Sequence, residues 1–93
     1  MEVKISKSTR SEKKMMAVFY KDNVKIKTVH FGATGYEDYT THHDEQRKAR
    51  YIKRHSGENF NYMTASGLAR FVLWNKKTIK ESIADYKRRF GLK

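Results

Sequence analysis

The spacing of apolar residues changes partway along the chain, and this change constrains the fold more than any other feature. Before residue 32 the apolar residues lie in short stretches that mostly alternate with polar ones, as in β-strands. After residue 43 they recur every three or four residues, which is the period of amphipathic α-helices. Since the strands precede the helices, the pattern predicts an α+β domain.

Three strands are predicted in the first third of the chain. Residues 3–6 alternate apolar and polar side chains, residues 15–20 form a continuous apolar run, and residues 24–28 alternate again. Between the last two, Asp22 and Asn23 supply a short polar turn that tolerates unusual backbone angles. The three strands are therefore expected to pair as an antiparallel meander.

One irregularity is expected in the third strand. Val29 and Phe31 fall on the opposite parity from Val24 and Ile26, so these four side chains cannot all point to one face of a regular strand. Either the strand carries a bulge near Thr28, or its end is covered on both faces. The sequence leaves both alternatives open.

A loop and the first of three short α-helices are expected next. Residues 32–43 mix glycines, aromatic residues and polar residues without either period, which predicts a loop. Thr41 or Asp44 is placed to cap a helix that runs to about His55 and stops at Gly57.

The second and third helices are expected to complete the core. Thr64 is placed to cap a second helix that runs to Trp74, the only tryptophan. Thr78 and Glu81 have the spacing of a capping box, and Gly91 is expected to end the third helix. The apolar stripe of that helix consists of Ile79, Ile83, Tyr86 and Phe90.

Length and composition indicate one domain. The chain has 93 residues, of which 38% are apolar, so a modest core is expected despite a charged fraction of 33%. We expect a single domain over 1–93, with strands in 1–31, a glycine- and aromatic-rich loop in 32–43 and a basic helical part in 44–93. The chain has no cysteine, no apolar run near the roughly 20 residues that span a bilayer, and no secretory signal. A soluble intracellular protein without a membrane span or cofactor is expected.

Positive charge is concentrated in the second half of the chain. Up to residue 46, Lys and Arg outnumber Asp and Glu by only 8 to 7, whereas from residue 47 onwards they do so by 13 to 3. Because the second half is also the helical part, the charge is expected on a folded surface. Such a surface concentrates polyanions, so nucleic acid is the first partner to consider and an anionic protein or membrane surface the next.

Some of these cations are expected to share one helix face. Arg47, Arg50 and Arg54 are spaced so that their guanidinium groups lie on the same side of the first helix. The alternative is a solvated helix face without a ligand, and the cations in the last turn of the third helix also oppose the helix dipole. The predicted nucleic-acid-binding residues are Arg47, Lys48, Arg50, Lys53, Arg54, Lys76, Lys77, Lys80, Lys87, Arg88 and Arg89.

Catalysis is not expected. His42, His43 and Asp44 are adjacent, and they are the only weak candidates for a metal site or an acid–base pair acting on phosphodiesters. Their spacing does not match a zinc site, and Asn59 and Asn61 do not supply the asparagine of a His-Asn-His nuclease. We therefore expect neither a catalytic residue nor a bound metal.

Several segments together resemble a known family. They are KSTR at 7–10, VHFGATGYEDYT at 29–40, HD at 43–44, RKARYIKRH at 47–55, TA at 64–65, LWNK at 73–76 and DYKRRF at 85–90. In combination they are similar to an uncharacterised family of small basic proteins from large double-stranded DNA viruses of algae and protists. The resemblance covers nearly the whole chain and implies a viral origin, but it implies no reaction. The chain departs from that family at Lys77, where a proline is expected.

Two binding roles follow from charge and resemblance. The first is a non-enzymatic viral nucleic-acid-binding protein that contacts phosphates without reading sequence, with DNA a better candidate than RNA. The alternative is a minor capsid or other virion structural protein that bridges acidic surfaces of larger shell proteins. Its contact surfaces would be the edge strand at 3–6 and the aromatic residues Tyr36, Tyr39, Phe60 and Tyr62. Both roles place the protein in the cytoplasm or nucleus of an infected cell or in the virion, and the oligomeric state stays open.

Overall fold

The protein begins with the predicted antiparallel sheet. A computed structural model describes residues 1–55 and 61–93. Its strands are β1 (Glu2–Lys7), β2 (Lys13–Lys21) and β3 (Val24–Ala33), and they lie side by side in the order β1-β2-β3. Both pairs are antiparallel. The meander and the α+β class predicted from the sequence are confirmed.

The β2–β3 hairpin turns at the predicted dipeptide. Asp22 and Asn23 have φ angles of 52° and 65°, so both adopt the left-handed conformation. This is the geometry of a two-residue type I′ turn, which aspartate and asparagine tolerate because their short side chains bond locally. The turn fixes the register of the hairpin by pairing Lys21 with Val24.

β3 bulges at Ile26. Phe19 pairs with Lys27 and Tyr20 pairs with Lys25, which leaves Ile26 without an opposite residue. The bulge lies two residues before the predicted position. Odd-numbered residues of β3 face the core after the bulge, whereas even-numbered residues lie on that face before it. The apolar residues of β3 beyond it are therefore directed inward, while those before it stay exposed.

In the described ranges after the sheet, the chain forms four helices and one π-helical segment. They are α1 (Tyr39–His42), α2 (Glu45–Arg54), α3 (Ala65–Leu68), the π-helical segment Ala69–Leu73, and α4 (Ile79–Phe90). The short α1 lies inside the predicted loop 32–43. The predicted second helix is present as α3 and the π-helical segment, in which the Trp74 amide donates to the Ala69 carbonyl 3.1 Å away.

Most helix ends lie at the predicted residues. Asp44, rather than Thr41, caps α2, and Thr64 and Thr78 cap α3 and α4 through their side chains. Gly91 ends α4 in the left-handed conformation with a φ angle of 67°. The predicted stop at Gly57 lies outside the described residues.

The core lies between one face of the sheet and the C-terminal helices. Tyr86 of α4 is fully buried, and its hydroxyl donates to the Tyr62 carbonyl 2.5 Å away. The buried apolar residues of the core cluster are Val3, Ala17, Phe19, Phe31, Leu68, Val72, Leu73, Tyr86 and Leu92. Because sheet and helices contribute to one cluster, α3, the π-helical segment and α4 are all held against the sheet.

The C-terminus covers the start of the free edge of β1. The Val3 amide donates to the Lys93 carbonyl at 3.0 Å, and the Lys93 amide donates to the Met1 carbonyl at 3.1 Å. The edge expected to be a contact surface is thus partly occupied by the chain itself. None of the helices in 1–55 and 61–93 is long and apolar enough to cross a membrane.

Candidate functional site

A cleft of about 860 Å³ opens between α2, the α3–π segment and the C-terminal end of β3. We call it the basic cleft. Its charged lining residues are Lys14, Glu37, Asp38, Arg47, Arg50, Lys53 and Arg54. Its aromatic and apolar lining includes Tyr36, Tyr51, Ala65, Ala69, Leu73 and Trp74. The cleft thus combines a cationic wall with an apolar floor.

Four of the predicted binding residues line this cleft. Arg47, Arg50 and Arg54 share one side of α2, and Lys53 lies next to them. α2 begins where it does because the Asp44 carboxylate accepts from the amides of Gln46 and Arg47. These bonds, the one from Arg47 first, lower the pKa of Asp44.

Both carboxylates that the described residues contribute to the basic cleft are already paired. Arg47 Nη1 lies 2.8 Å from Glu37 Oε2, and Lys14 Nζ lies 2.7 Å from Asp38 Oδ2. Asp38 also caps α1, so its position is fixed from both sides. Arg50, Lys53 and Arg54 make no ion pair within 1–55 and 61–93.

An aromatic stack attaches α2 to the rest of the molecule. The rings of Tyr51 and Trp74 are stacked, with their centres 4.2 Å apart and an angle of 2° between their planes. Lys48 adds a second attachment, since its Nζ donates to the Asn75 carbonyl at 2.6 Å and lies 4.8 Å from the Tyr39 ring centre. These contacts orient the cationic side of α2 toward the basic cleft.

α1 contributes to this attachment through one further bond. The Tyr39 hydroxyl donates to the Glu45 carboxylate at the start of α2, and this bond is the main reason that the pKa of Tyr39 is raised. Tyr39 is buried, whereas the sequence placed it among exposed contact residues. Tyr62 is partly buried, Tyr36 is 74% exposed, and Phe60 lies outside the described residues.

A second group of cations combines Lys48 of α2 with residues of the C-terminal elements. Burial lowers the pKa of Lys48, and the nearby Arg70 and Lys76 lower it further. Burial also lowers the pKa of Arg70, with Arg89 adding to the effect. Arg70 and Arg89 also lie 5.1 Å and 5.0 Å from the centre of the same ring, that of Phe71. We therefore treat Lys48, Arg70, Lys76 and Arg89 as one secondary cationic cluster.

Part of that cluster is neutralised by one carboxylate. Asp85 accepts from Asn75 Nδ2 at 2.7 Å, and it lies 3.1 Å from Arg88 Nη2 and 3.2 Å from Arg89 Nη2. The Asn75 bond first, and then the two guanidinium groups, lower the pKa of Asp85 to about 2. Asp85 therefore pairs with two predicted binding residues, Arg88 and Arg89, so one of these two positive charges is not compensated.

The remaining predicted binding residues do not share these surfaces. Lys80 and Lys87 are seven residues apart and lie on the same side of α4, while Arg89 lies almost opposite to Lys87 around the helix. Lys77 is exposed in the segment before α4. The cations of the second half thus form a cleft wall, a smaller cluster, and separate lysines.

The weak metal candidates are engaged locally. The Asp44 amide donates to His42 Nδ1 at 2.9 Å, and His43 Nε2 lies 3.1 Å from the Thr40 carbonyl. The Asp44 carboxylate is turned toward the amides of α2. In the described part of the chain, no group of three or more His, Cys, Asp or Glu side chains is placed to hold a metal ion.

Two cations of these surfaces, Lys14 and Arg70, are not predicted from the sequence. Lys14 precedes an apolar strand, and nothing in its surroundings in the sequence marks it as part of a site. Arg70 is the one charged residue between Thr64 and Trp74, so a lone cation in an apolar helix was an available signal. Lys14 reaches the basic cleft only because the sheet places β2 beside the end of β3.

One comparison with known proteins gives a match. The model of a family of unknown function, DUF5754, matches residues 3–55. The matched segment comprises most of β1, the other two strands, α1 and α2, and so includes the cationic wall of the basic cleft. No curated protein and no solved structure matches the chain.

Proposed function

Because the chain belongs to DUF5754, a family of unknown function, we propose from its own surface that it binds nucleic acid without catalysis. The resemblance to proteins of large DNA viruses makes DNA the first partner and the infected cell or the virion the setting. Binding is to the phosphate backbone, with little reading of sequence.

The basic cleft carries this proposal. Among the described residues, five cations line it against two carboxylates, and both of these carboxylates are already held by Arg47 and Lys14. The surplus charge belongs to Arg50, Lys53 and Arg54, which lie within one helical turn or so of each other. Closely spaced cations without acidic partners repel one another, so an incoming phosphate removes an unfavourable interaction as well as adding a favourable one.

A polyanion fits better than a single small anion. The secondary cationic cluster and the cleft share α2, since Arg50 lies on one side of that helix and Lys48 on the other. A chain of phosphates contacts both groups at once, whereas one phosphate occupies only one of them. Arginine further favours phosphate because its planar guanidinium donates two parallel hydrogen bonds.

The salt dependence of binding tests the proposal. We expect affinity for unrelated DNA fragments to fall by roughly three to five powers of ten between about 50 and about 200 mM salt, if six to ten phosphates are contacted. Replacing Arg50, Lys53 and Arg54 together by glutamine should reduce the slope of log affinity against log salt by roughly two to three on duplex DNA. Mobility shift or fluorescence anisotropy at several salt concentrations measures both.

A triple variant at the far end of the sheet is the matched control. Lys21, Lys25 and Lys27 are exposed near the hairpin turn, and Lys25 is about 23 Å along β3 from Gly32 at the cleft. Their replacement by glutamine removes the same charge and should leave the salt slope nearly unchanged. Equal slopes for the two variants, or tight binding to one sequence that persists at high salt, would contradict the proposal.

The virion structural role stays the second candidate, because two apolar side chains are exposed beside the hairpin turn. Val24 is 63% and Ile26 47% exposed, and the bulge leaves Ile26 without an opposite residue on β2. Exposed apolar residues on a charged surface are typical of protein contacts. Purified virions separate the two roles, since a structural protein stays with DNA-free shells and a nucleic-acid binder leaves with the genome.

A further inference from the structure

We infer that the basic cleft receives an unpaired nucleotide, so that the protein prefers single-stranded nucleic acid, or single-stranded segments of a duplex, over intact duplex. The inference depends on the proposed function and names its substrate more closely. It follows from the apolar floor of the cleft rather than from the cations of its wall.

The floor of the basic cleft is apolar and closed. Leu73 at its base is only 3% exposed, and a Cβ added to Gly32 would come within 2.7 Å of the Leu73 side chain, so β3 lies directly against the π-helical segment. Ala65 and Ala69 contribute small side chains that leave room above this base. The volume of about 860 Å³ lies within the range of about 300 to 1,000 Å³ that pockets for organic ligands occupy.

Duplex DNA cannot use this floor. Its bases are paired and stacked inside the helix, so it offers phosphates, sugars and base edges to a concave site, but not the flat face of a base. An unpaired nucleotide carries a flat, largely apolar base and a phosphate on one flexible unit. It can therefore place its base against Ala65, Ala69 and Trp74 while its phosphate meets Arg50 and Arg54.

An exposed ring at the rim supports the same occupant. Tyr36 lines the basic cleft, yet 74% of its surface is accessible, and it belongs to the loop that connects β3 to α1. Aromatic rings that are accessible beside cations are the usual stacking partners of unpaired bases. The neighbouring Glu37 and Asp38 do not repel the phosphates strongly, because Arg47 and Lys14 compensate their charge.

Oligonucleotides with and without bases test the inference. At one salt concentration, a single-stranded oligonucleotide should bind about tenfold or more tightly than an abasic strand with the same number of phosphates. Ala65→Trp fills the cleft without changing charge, and Tyr36→Ala removes the rim ring without touching the core. Each should weaken binding of the single strand about tenfold, toward the abasic value, and weaken duplex binding much less.

Ala84→Trp is the control for the filled cleft. Ala84 is an exposed helical alanine like Ala65, but it lies on α4 and does not line the basic cleft. Its replacement should change neither binding. Equal affinity for the abasic and the normal strand, or an equal loss of single-strand and duplex binding in Ala65→Trp, would overturn the inference and leave the proposed function standing. Failure of every strand to bind at low salt would overturn both.

Discussion

Asp85 is the residue on which the arrangement of cations at the end of α4 depends. It is 8% exposed and accepts from Asn75, Arg88 and Arg89, so its ionised form is strongly preferred in the folded protein. Its pKa is lowered from the usual value near 4 to about 2. A carboxylate of this kind stabilises the fold above its unfolded pKa, and the contribution is lost as the pH falls toward its folded pKa.

The direction of this pKa shift predicts how the stability of Asp85→Asn depends on pH. The variant loses the negative charge that accepts from Asn75, Arg88 and Arg89, so its free energy of unfolding should be about 1 to 2 kcal/mol lower than that of the wild type at neutral pH. The gap should narrow between about pH 4 and about pH 2, because the wild type itself loses the contribution as the pH falls from the unfolded pKa to the folded one. Urea unfolding at several pH values measures the gap.

Asp22→Asn is the control, because it makes the same chemical change at a residue that forms no ion pair within 1–55 and 61–93. Asp22 is exposed in the hairpin turn, where asparagine adopts the same left-handed backbone. We expect a difference of a few tenths of a kcal/mol at every pH. A gap for Asp85→Asn that stays constant down to about pH 3 would show that the arginine pairing does not stabilise the fold.

At the scale of elements, α2 is the least firmly held long helix of the described chain. It buries none of its residues completely, whereas α4 buries Ser82, Asp85 and Tyr86. Its attachment depends on the Tyr51–Trp74 stack, on the Lys48 contacts and on the bond between Tyr39 and Glu45. A helix that buries no residue completely opens more readily than the whole protein unfolds.

Tyr51→Ala should therefore release α2 selectively. Loss of the stack and of its buried area should lower the protection of α2 amides against hydrogen exchange about tenfold or more, because an aromatic pair contributes about 0.5 to 1.5 kcal/mol beyond burial. The α4 amides should keep their protection. Tyr20→Ala, which removes a partly buried ring from β2 instead, should not affect α2 selectively. Equal losses in α2 and α4 after Tyr51→Ala would refute a local opening.

The elements differ in how far the sequence predicts them. The hairpin turn at Asp22 and the caps at Asp44, Thr64 and Thr78 are confirmed, because each depends on local backbone chemistry. The bulge at Ile26 lies two residues from its expected position, and α1 and the π-helical segment were not predicted. These features depend on contacts between elements that are distant in the chain, which a periodic pattern does not encode.

At the scale of the whole molecule, the sequence predicts the amount of charge better than its distribution. The stripe of Arg47, Arg50 and Arg54 follows from helical spacing, and the structure places all three at one cleft. The contributions of Lys14 and Arg70 depend on how the sheet and the π-helical segment are packed, so no local pattern marks them. The proposed preference for single strands depends on the apolar floor of the basic cleft, which forms only where α3 packs against β3.

The net charge of +11 also affects the stability of the fold. All 21 Lys and Arg residues lie in the described ranges, and side-chain ion pairs there engage five of them: Arg10, Lys14, Arg47, Arg88 and Arg89. Repulsion among the other cations is therefore greater than the attraction within the pairs. Salt screens repulsion and attraction alike, so the stronger of the two decides whether salt stabilises or destabilises the fold.

We accordingly expect sodium chloride to stabilise the protein. Between about 20 and about 500 mM, the free energy of unfolding should rise by about 0.5 to 1 kcal/mol, which raises the Tm of a domain of this size by about 3 to 6 °C. The triple glutamine variant of Lys21, Lys25 and Lys27 lowers the net charge by three and should show a smaller rise. Thermal unfolding followed by circular dichroism measures both shifts. A Tm that falls with salt would mean that attraction within ion pairs is stronger than repulsion among the cations. Cations neutralised in such pairs would bind a phosphate backbone only weakly.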